Sequence, residues 1–482
     1  MGAYMVTSGM EFWSFPPAYD RTYMPSPKSN YWLPMRETMD PGERDREIVV
    51  RLQKVMAYAY KNSTFYRNRW DDAGIHPEHI HSLEDFERVP VITKQELRAA
   101  QERTEPFGDY LCVPDSEVHH IHGTSGTTGR PTVFAIGRED WGTIAENQAR
   151  ILWAMGLRPG DMVFVAAIFG LYLGSWGAML ATERLGGKCF PFGAGAPGMT
   201  ARAVQWLRTM KPQGFYSTPS YALHLAEVAR DEGIDPGDFR LKIMFFSGEP
   251  GASIPGIRER IESAFGAKVF DCGTMAEMTP YMSASGTNGS GPGMVLFQDM
   301  VYHEVCDPKS FSRVGWGERG TPVYTHLERT SQPMIRLSSG DLTHWIEGPS
   351  SCGRTYPIFP DGVYGRIDDM FQVRGENIYP SEIDAALNQV AGYGGEHRII
   401  ISREGAMDEL LVQFEVSEDI YLEGAEAVSG VNQRASETLR RVLGVRAKTE
   451  VVNANIIPRT DHKARRVIDD RELFRTLNSK LE

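Results

Sequence analysis

Between residues 160 and 272 short apolar runs alternate with amphipathic ones, and few folds accommodate that pattern. β-like runs occupy Met162–Ile168, Lys188–Phe192, Gly214–Ser217, Lys242–Phe246 and Lys268–Asp271. Helical runs lie between them at Ala201–Met210, Tyr221–Asp231 and Ile257–Phe265. Strict alternation predicts a mostly parallel sheet covered by helices. Such sheets bind ligands in the crevice beyond the carboxyl ends of their strands. The loops after these runs are therefore the places to look for function.

The flanking regions complete an α/β reading. Residues 1–40 are rich in Pro, Tyr, Trp and Met without a clear period, as in an irregular arm lying on the body. A helix is predicted at about 43–60, with Ile48, Val49, Leu52, Val55 and Met56 on one face. Thr93-Lys94-Gln95-Glu96 reads as a capping box that starts another. Residues 285–345 are richer in strands and turns. Past Asp369 the pattern becomes strand, helix, strand, strand, helix, strand: Phe371–Val373, Ser381–Val390, Arg398–Ser402, Leu410–Val416, Ala425–Leu443 and Lys448–Val452. The expected architecture is a large N-terminal domain with a mostly parallel, helix-covered sheet and further β structure, followed by a small mobile α+β domain.

At 482 residues the chain is too long for one ordinary core. Apolar content of 41% and charged content of 24% are those of a soluble globular protein. A net charge of -12 without a long basic run argues against nucleic acid as a partner. Anionic ligands must then be held by local cations and backbone dipoles, against the overall field. No secretory signal and no membrane span is read. Cys112, Cys189, Cys272, Cys306 and Cys352 are odd in number, widely spaced and free of a Cys-x-x-Cys pair, which suits a reduced, cytoplasmic setting.

The stretch from His122 to Thr132 reads His-Gly-Thr-Ser-Gly-Thr-Thr-Gly-Arg-Pro-Thr. Gly123, Gly126 and Gly129 let the backbone approach a ligand closely. The intervening hydroxyls and Arg130 suit a polyphosphate. The loop lacks the Lys-Ser/Thr ending of a Walker A sequence. Four segments follow in order: Ser247-Gly248-Glu249-Pro250, Asp271 through Glu277, Leu337 through Thr343 with Asp341, and Gly365 through Pro380. Near the end comes Ile457-Pro458-Arg459-Thr460-Asp461-His462-Lys463.

Taken together, these motifs resemble the acyl-adenylate-forming superfamily, and within it the phenylacetate–CoA ligase branch. Asn62 through Arg67, Thr93 through Leu97 and Thr182 through Gly186 add to the match, which runs from about Tyr58 to Arg471. The resemblance implies that ATP and an aromatic (aryl or arylacetic) carboxylic acid form an acyl-adenylate, whose acyl group passes to coenzyme A with release of AMP and pyrophosphate. It implies a pyrophosphate cradle of Thr124, Ser125, Gly126, Thr127, Thr128, Gly129 and Arg130. It implies Glu277 as the ligand of Mg²⁺, Asp341 on the ribose, and Arg366 near the ribose or phosphates. Gly248, Glu249, Pro250 and Asp271 would shape the rest of the nucleotide site. Lys463 would be the catalytic cation between carboxylate and α-phosphate. Asp368 would be the hinge between an adenylation domain, 1–367, and a lid, 368–482, whose Arg374 and Gly375 lie on the CoA side. Phe169, Tyr172, Gly174, Ser175, Trp176, Ser220 and Tyr221 would line the acid pocket, with Tyr172, Ser175 and Tyr221 able to pair with a polar substituent. A homodimer is implied on the same ground.

Three departures stand out. Arg130 replaces a Lys, Gly273 an aromatic residue and Ala276 a hydroxyl, which puts an adenine contact and a phosphate hydrogen bond in doubt. Of the Cys/His zinc cluster found in some relatives only Cys352 remains, so zinc is not expected. His119, His120 and His122 crowd one strand too closely to chelate as a set. Two other functions stay open: an adenylating enzyme with an amine, a second aryl acid or a carrier protein as acceptor, and a degenerate nucleotide-binding regulator.

Overall fold

The computed structural model describes residues 10–11, 13–124, 132–193, 198–249, 251–286, 291, 293–363, 365–367, 371–373, 376–404, 407–454, 456–457 and 466–469. Two helices, α1 (Pro41–Asn62) and α2 (Lys94–Arg103), lead to an antiparallel hairpin of β1 (Val118–Gly123) and β2 (Val133–Gly137) and to helix α3 (Arg138–Met155). α1 begins where Asp40 accepts a hydrogen bond from the Glu43 amide and Pro41 pre-sets the first turn. α2 begins with the predicted capping box. The Glu96 amide donates to Thr93 Oγ1, and the Thr93 amide donates to the Glu96 carboxylate.

The alternating region then builds the central sheet from β3 (Met162–Val165), α4 (Leu173–Arg184), β4 (Lys188–Phe190), α5 (Met199–Met210), β5 (Gly214–Ser217), α6 (Pro219–Asp231), β6 (Ile243–Phe246), α7 (Pro255–Phe265), β7 (Lys268–Met275), β8 (Thr279–Ala284) and β9 (Met294–Leu296). The eight strands run in the order β4-β3-β5-β6-β7-β8-β9, closed by an outer strand at Ile358–Phe359. β4 through β7 are parallel, as the alternation predicts; β8 and β9 add antiparallel. The inner parallel strands β5 and β6 are buried along their whole length because helices cover both faces. α3 and α4 pack Leu152, Trp153, Ala178 and Ala181 on one face. α5, α6 and α7 pack Leu207, Leu225 and Ile261 on the other.

β7 runs four residues past the predicted strand end at Asp271. No helix follows this strand, which runs on to Met275 and turns straight into β8. Glu277 therefore sits in a hairpin turn. A second sheet orders β10 (Val301–Cys306), β11 (Arg319–His326), β12 (Asp341–His344) and β13 (Gly365–Arg366) side by side.

The C-terminal region matches its predicted order. A hairpin (Phe371–Val373 with Glu376–Ile378) precedes α8 (Pro380–Asn388), β14 (Tyr393–Glu404), β15 (Met407–Val416), α9 (Ala425–Leu443), β16 (Lys448–Val452) and β17 (Val467–Asp469). The strands lie in the order β16-β15-β14-β17. Val431, Ala435, Leu439 and Leu443 recur every fourth residue of α9 and are buried in a core of their own, against Ile399, Val412 and Phe414.

The N-terminal arm is not loosely laid on. Glu37, fully buried, pairs with Arg354 at 2.7 Å and Arg150 at 3.1 Å. Arg150 also pairs with Asp299 at 2.8 Å, and Tyr356 donates to Asp299 at 2.6 Å. Burial opposes the charge of Asp299, but Arg150 beside it holds its carboxyl down at about 2. Removing one partner from such a cluster strands buried charge, at a cost of roughly 3 kcal/mol or more. The variant Glu37→Gln is therefore expected to lower the first thermal transition by roughly 5–10 °C. An unchanged transition in calorimetry would show that the cluster does not hold the arm.

Candidate active site

The β1–β2 hairpin brings the base of the phosphate-type loop to the sheet. Gly123 pairs with Val133, the Thr124 amide donates to Thr132 O at 3.0 Å, and the Thr132 amide donates to Thr124 Oγ1 at 3.1 Å. Ser125, Gly126, Thr127, Thr128, Gly129 and Arg130, above this base, lie outside the described residues, as do Pro250, Asp368, Arg374, Gly375 and Lys463.

The Glu277 turn is held on both sides. The Met278 carbonyl accepts from His326 Nε2 at 3.0 Å and from Arg329 Nη2 at 2.8 Å. His326 Nδ1 accepts from the Met334 amide at 3.0 Å, so the proton must be on Nε2. Burial drives this imidazole well below its ordinary pKa and keeps it neutral. Gln148 donates to Thr279 Oγ1 at 3.2 Å and to Tyr281 O at 3.1 Å. The Glu277 side chain is 3% exposed, and Lys94 Nζ stands 3.4 Å from its Oε1. Lys94 is the first residue after the Thr93 cap, so the capping box sets this cation in place. The sequence marked Thr93-Lys94-Gln95-Glu96 as a helix start and as part of the family match; the pairing of Lys94 with a residue 183 positions away carries no local signal.

Other residues that the resemblance assigned to the nucleotide lie at or near strand ends. Glu249 accepts from the Ser220 amide at 2.8 Å, which ties the β6 loop to α6. Gly248 has φ +93°, a conformation that favours glycine. Asp341 faces Arg366 across the β12–β13 pair, with 4.0 Å between carboxylate and guanidinium. Asp271 is 4% exposed, and burial pushes its carboxyl up to about 6.

The anomaly at Gly273 has a local cause. A Cβ there would overlap Ser283 Oγ on the neighbouring strand. The space that a side chain would need is already filled from β8.

Two of the residues assigned to the acid pocket are deeply buried. Ser175 is buried in α4 and its hydroxyl donates to Ile168 O at 2.8 Å, so it is committed to its own loop. Tyr221 is 1% exposed and packs in the core beneath α6. Trp176 spends its indole N–H on Gly170 O at 3.0 Å and meets Phe169 edge-on at 5.5 Å. Trp176 also borders a stack in which His120 lies 3.7 Å from Trp141 and His122 lies 5.8 Å from it. Tyr172 is half exposed. Gly174 is a glycine because a Cβ would strike the hydroxyl of Tyr216. That hydroxyl is 2.7 Å from Ser247 Oγ, and Tyr281 donates to Gly174 O at 2.7 Å. Of Tyr216, Ser247 and Tyr281 only Ser247 belongs to a motif singled out in the sequence; Tyr216 lies in a predicted strand, and neither it nor Tyr281 carries a local signal of this contact. His122 Nδ1 is 3.2 Å from Leu171 O and so donates its proton there. Burial pulls this imidazole down to about 4, leaving it neutral at physiological pH.

A family model described as the AMP-binding enzyme C-terminal domain matches residues 375–471. A phenylacetate–coenzyme A ligase of Thermus thermophilus is 32% identical over 455 residues, 92% of this chain and 100% of that protein. The chain belongs to the phenylacetate–CoA ligase branch of the acyl-adenylate-forming superfamily. It is an AMP-forming acid–CoA ligase: an acid is activated with ATP as an acyl-adenylate, and its acyl group passes to CoA. The Escherichia coli phenylacetate–coenzyme A ligase is 31% identical across 91% of this chain and 97% of its own. Among solved structures, a 2-hydroxyisobutyryl-CoA ligase is 62% identical, covering 98% of this chain and 99% of that one. In its postadenylation state with 2-HIB-AMP the TM-score is 0.92; in its thioesterification state with 2-HIB-AMP and CoA it is 0.73.

Restoring an aromatic at position 273 tests the packing account. Gly273→Tyr should cost roughly 1–3 kcal/mol from overpacking, read as a lowered thermal midpoint, and Ser283→Gly in the same chain should recover part of it. Equal midpoints for the single and double variants would show that Ser283 does not dictate the glycine.

Proposed function

We propose that this ligase activates a short, branched 2-hydroxy acid of the 2-hydroxyisobutyrate kind. The observation that carries the reading is the 62% identity, over nearly the full length of both chains, to a 2-hydroxyisobutyryl-CoA ligase. The pocket side supports it. The rings expected to stack on an aryl substrate are engaged with one another, and the hydroxyls of Tyr216 and Ser247 lie under Gly174. The second reading, an aryl or arylacetic acid, is favoured by the names of the curated relatives at 31–32% identity.

In this proposal the pyrophosphate lies in the loop from Thr124 to Arg130, and Asp341 holds the ribose. Glu277 suits Mg²⁺ because it is a buried hard-oxygen donor. Among the described residues no group of three or more His, Cys, Asp or Glu could hold a metal, so phosphate oxygens would complete the shell. Bound there, Mg²⁺ would neutralise charge on the phosphates. Lys94 adds a second cation at the same edge, and a protein of net charge -12 needs such local charge to hold an anion. Lys463 bridges the attacking carboxylate and the α-phosphate, stabilising charge as it develops. Residues 1–367 form the adenylation domain and 368–482 the lid. Asp368 is its hinge, and Arg374 and Gly375 face CoA in the second step. A cytoplasmic homodimer completes the proposal. Among the described residues no helix is long and apolar enough to cross a membrane.

Pyrophosphate release measured with 2-hydroxyisobutyrate, 3-hydroxybutyrate, phenylacetate and benzoate, with and without CoA, decides between the acids. The proposal expects the fastest release with 2-hydroxyisobutyrate; faster release with phenylacetate or benzoate overturns it. Lys463→Ala should abolish ATP–pyrophosphate exchange while CoA still consumes a supplied acyl-adenylate. Equal loss of both half-reactions would remove Lys463 from the chemistry.

A further inference from the structure

The C-terminal unit meets the body along α7 and α8, and the fit is close at two glycines. A Cβ on Gly256 of α7 would come 2.8 Å from Asn388 Cβ and 2.9 Å from Asn388 O, at the end of α8. One helical turn on, Arg260 reaches across to the C-terminal unit. Its Nη2 donates to Gly394 O at 3.4 Å, and its guanidinium fills the space that a Cβ on Gly395 would need. Gly395 has φ +98°, so the irregular start of β14 forms a notch that only glycine makes easily. Arg260 is half-buried, with its Nη1 shut off from solvent.

The notch connects to the segment that leads to Lys463. Tyr393, next to Gly394, hydrogen-bonds His397 Nδ1 at 2.8 Å. His397 Nε2 lies 3.5 Å from Asp384 on α8, and Asp384 pairs with Arg466 at 2.9 Å. Arg466 also pairs with Glu396 at 3.5 Å, and its carbonyl accepts from the Ile399 amide at 2.7 Å. Residue 466 therefore has both its backbone and its side chain fixed to β14 and α8. Arg466 is three residues past Lys463. Burial disfavours its charge, but Asp384 and Glu396 outweigh that and keep it charged.

We propose that Arg260 is a positioning residue for the adenylation half-reaction. Seated in the Gly394–Gly395 notch, it latches the C-terminal unit in this orientation and, through Tyr393, His397 and Asp384, braces Arg466, three residues past Lys463. This inference rests on the reading of Lys463 given above. The arrangement is the one that superposes on the relative's postadenylation state better than on its thioesterification state. A contact made in only one of two orientations changes the balance between them by its own free energy. Loss of the latch should therefore act on one half-reaction and not on the other.

The test uses the full-length enzyme and the acid that the wild type activates fastest. Arg260→Ala should lower ATP–pyrophosphate exchange by about tenfold and Arg260→Glu by more, a shift of the size usual for conformational coupling. Thioester formation from a supplied acyl-adenylate and CoA should stay within about twofold of wild type or rise. Arg260→Lys, which keeps a cation at the notch, should recover part of the exchange. The thermal midpoint of each variant identifies any general loss of fold. Unchanged exchange, or an equal fall in both half-reactions at an unchanged midpoint, would overturn the latch. Lys463→Ala run in parallel separates the two claims. If it loses exchange selectively while Arg260→Ala does not, the latch fails and the lysine reading stands. If it loses both half-reactions equally, the lysine reading fails and the proposed relay with it.

Discussion

The turn between β7 and β8 is the constraint on which the site depends. A carboxylate that is 3% exposed must be held where it can meet a cation, and the turn does this with backbone and side-chain bonds together. The Met278 carbonyl takes two hydrogen bonds, from a neutral imidazole and a buried guanidinium, and Gln148 fixes the first residue of β8. The partners come from β11, the segment just after it, and α3, so the second sheet and the helix layer both brace one turn. A turn braced this way needs no reorganisation when charge arrives, which is how preorganised sites gain their advantage over water.

Cations are supplied locally because the chain as a whole repels anions. Lys94 reaches Glu277 from the start of α2, and the capping box makes that start well defined. The buried cluster of Glu37, Arg150, Asp299 and Arg354 has a different task. It ties the N-terminal arm to α3 and to the segment before the outer strand of the sheet, in a setting where each charge depends on the others.

Much of this was legible in the sequence, for physical reasons. The inner parallel strands read clearly because burial on both faces favours apolar runs such as Ile243–Phe246, and the capping box at Thr93 is a local pattern with a local cause. α9 shows its inward face at every fourth residue. What was hidden depends on distant partners. The hairpin turn that carries Glu277 was not read from the sequence, because nothing near it announces that β7 turns back on itself. Gly273 looked like a lost contact until Ser283, ten residues later, was found in its space. Ser175 and Tyr221 were assigned to the pocket by resemblance alone; that the first hydrogen-bonds its own loop and the second packs into the core has no local signal.

The central claim is that the Glu277 turn serves the nucleotide phosphates and not the thioester step. ATP–pyrophosphate exchange in Glu277→Gln, compared with CoA consumption of a supplied acyl-adenylate, tests it most directly. The account predicts a loss of exchange of about a hundredfold or more, the scale for removing a preorganised charge, with thioester formation retained. Exchange near the wild-type rate, or the same loss in both half-reactions, would contradict it.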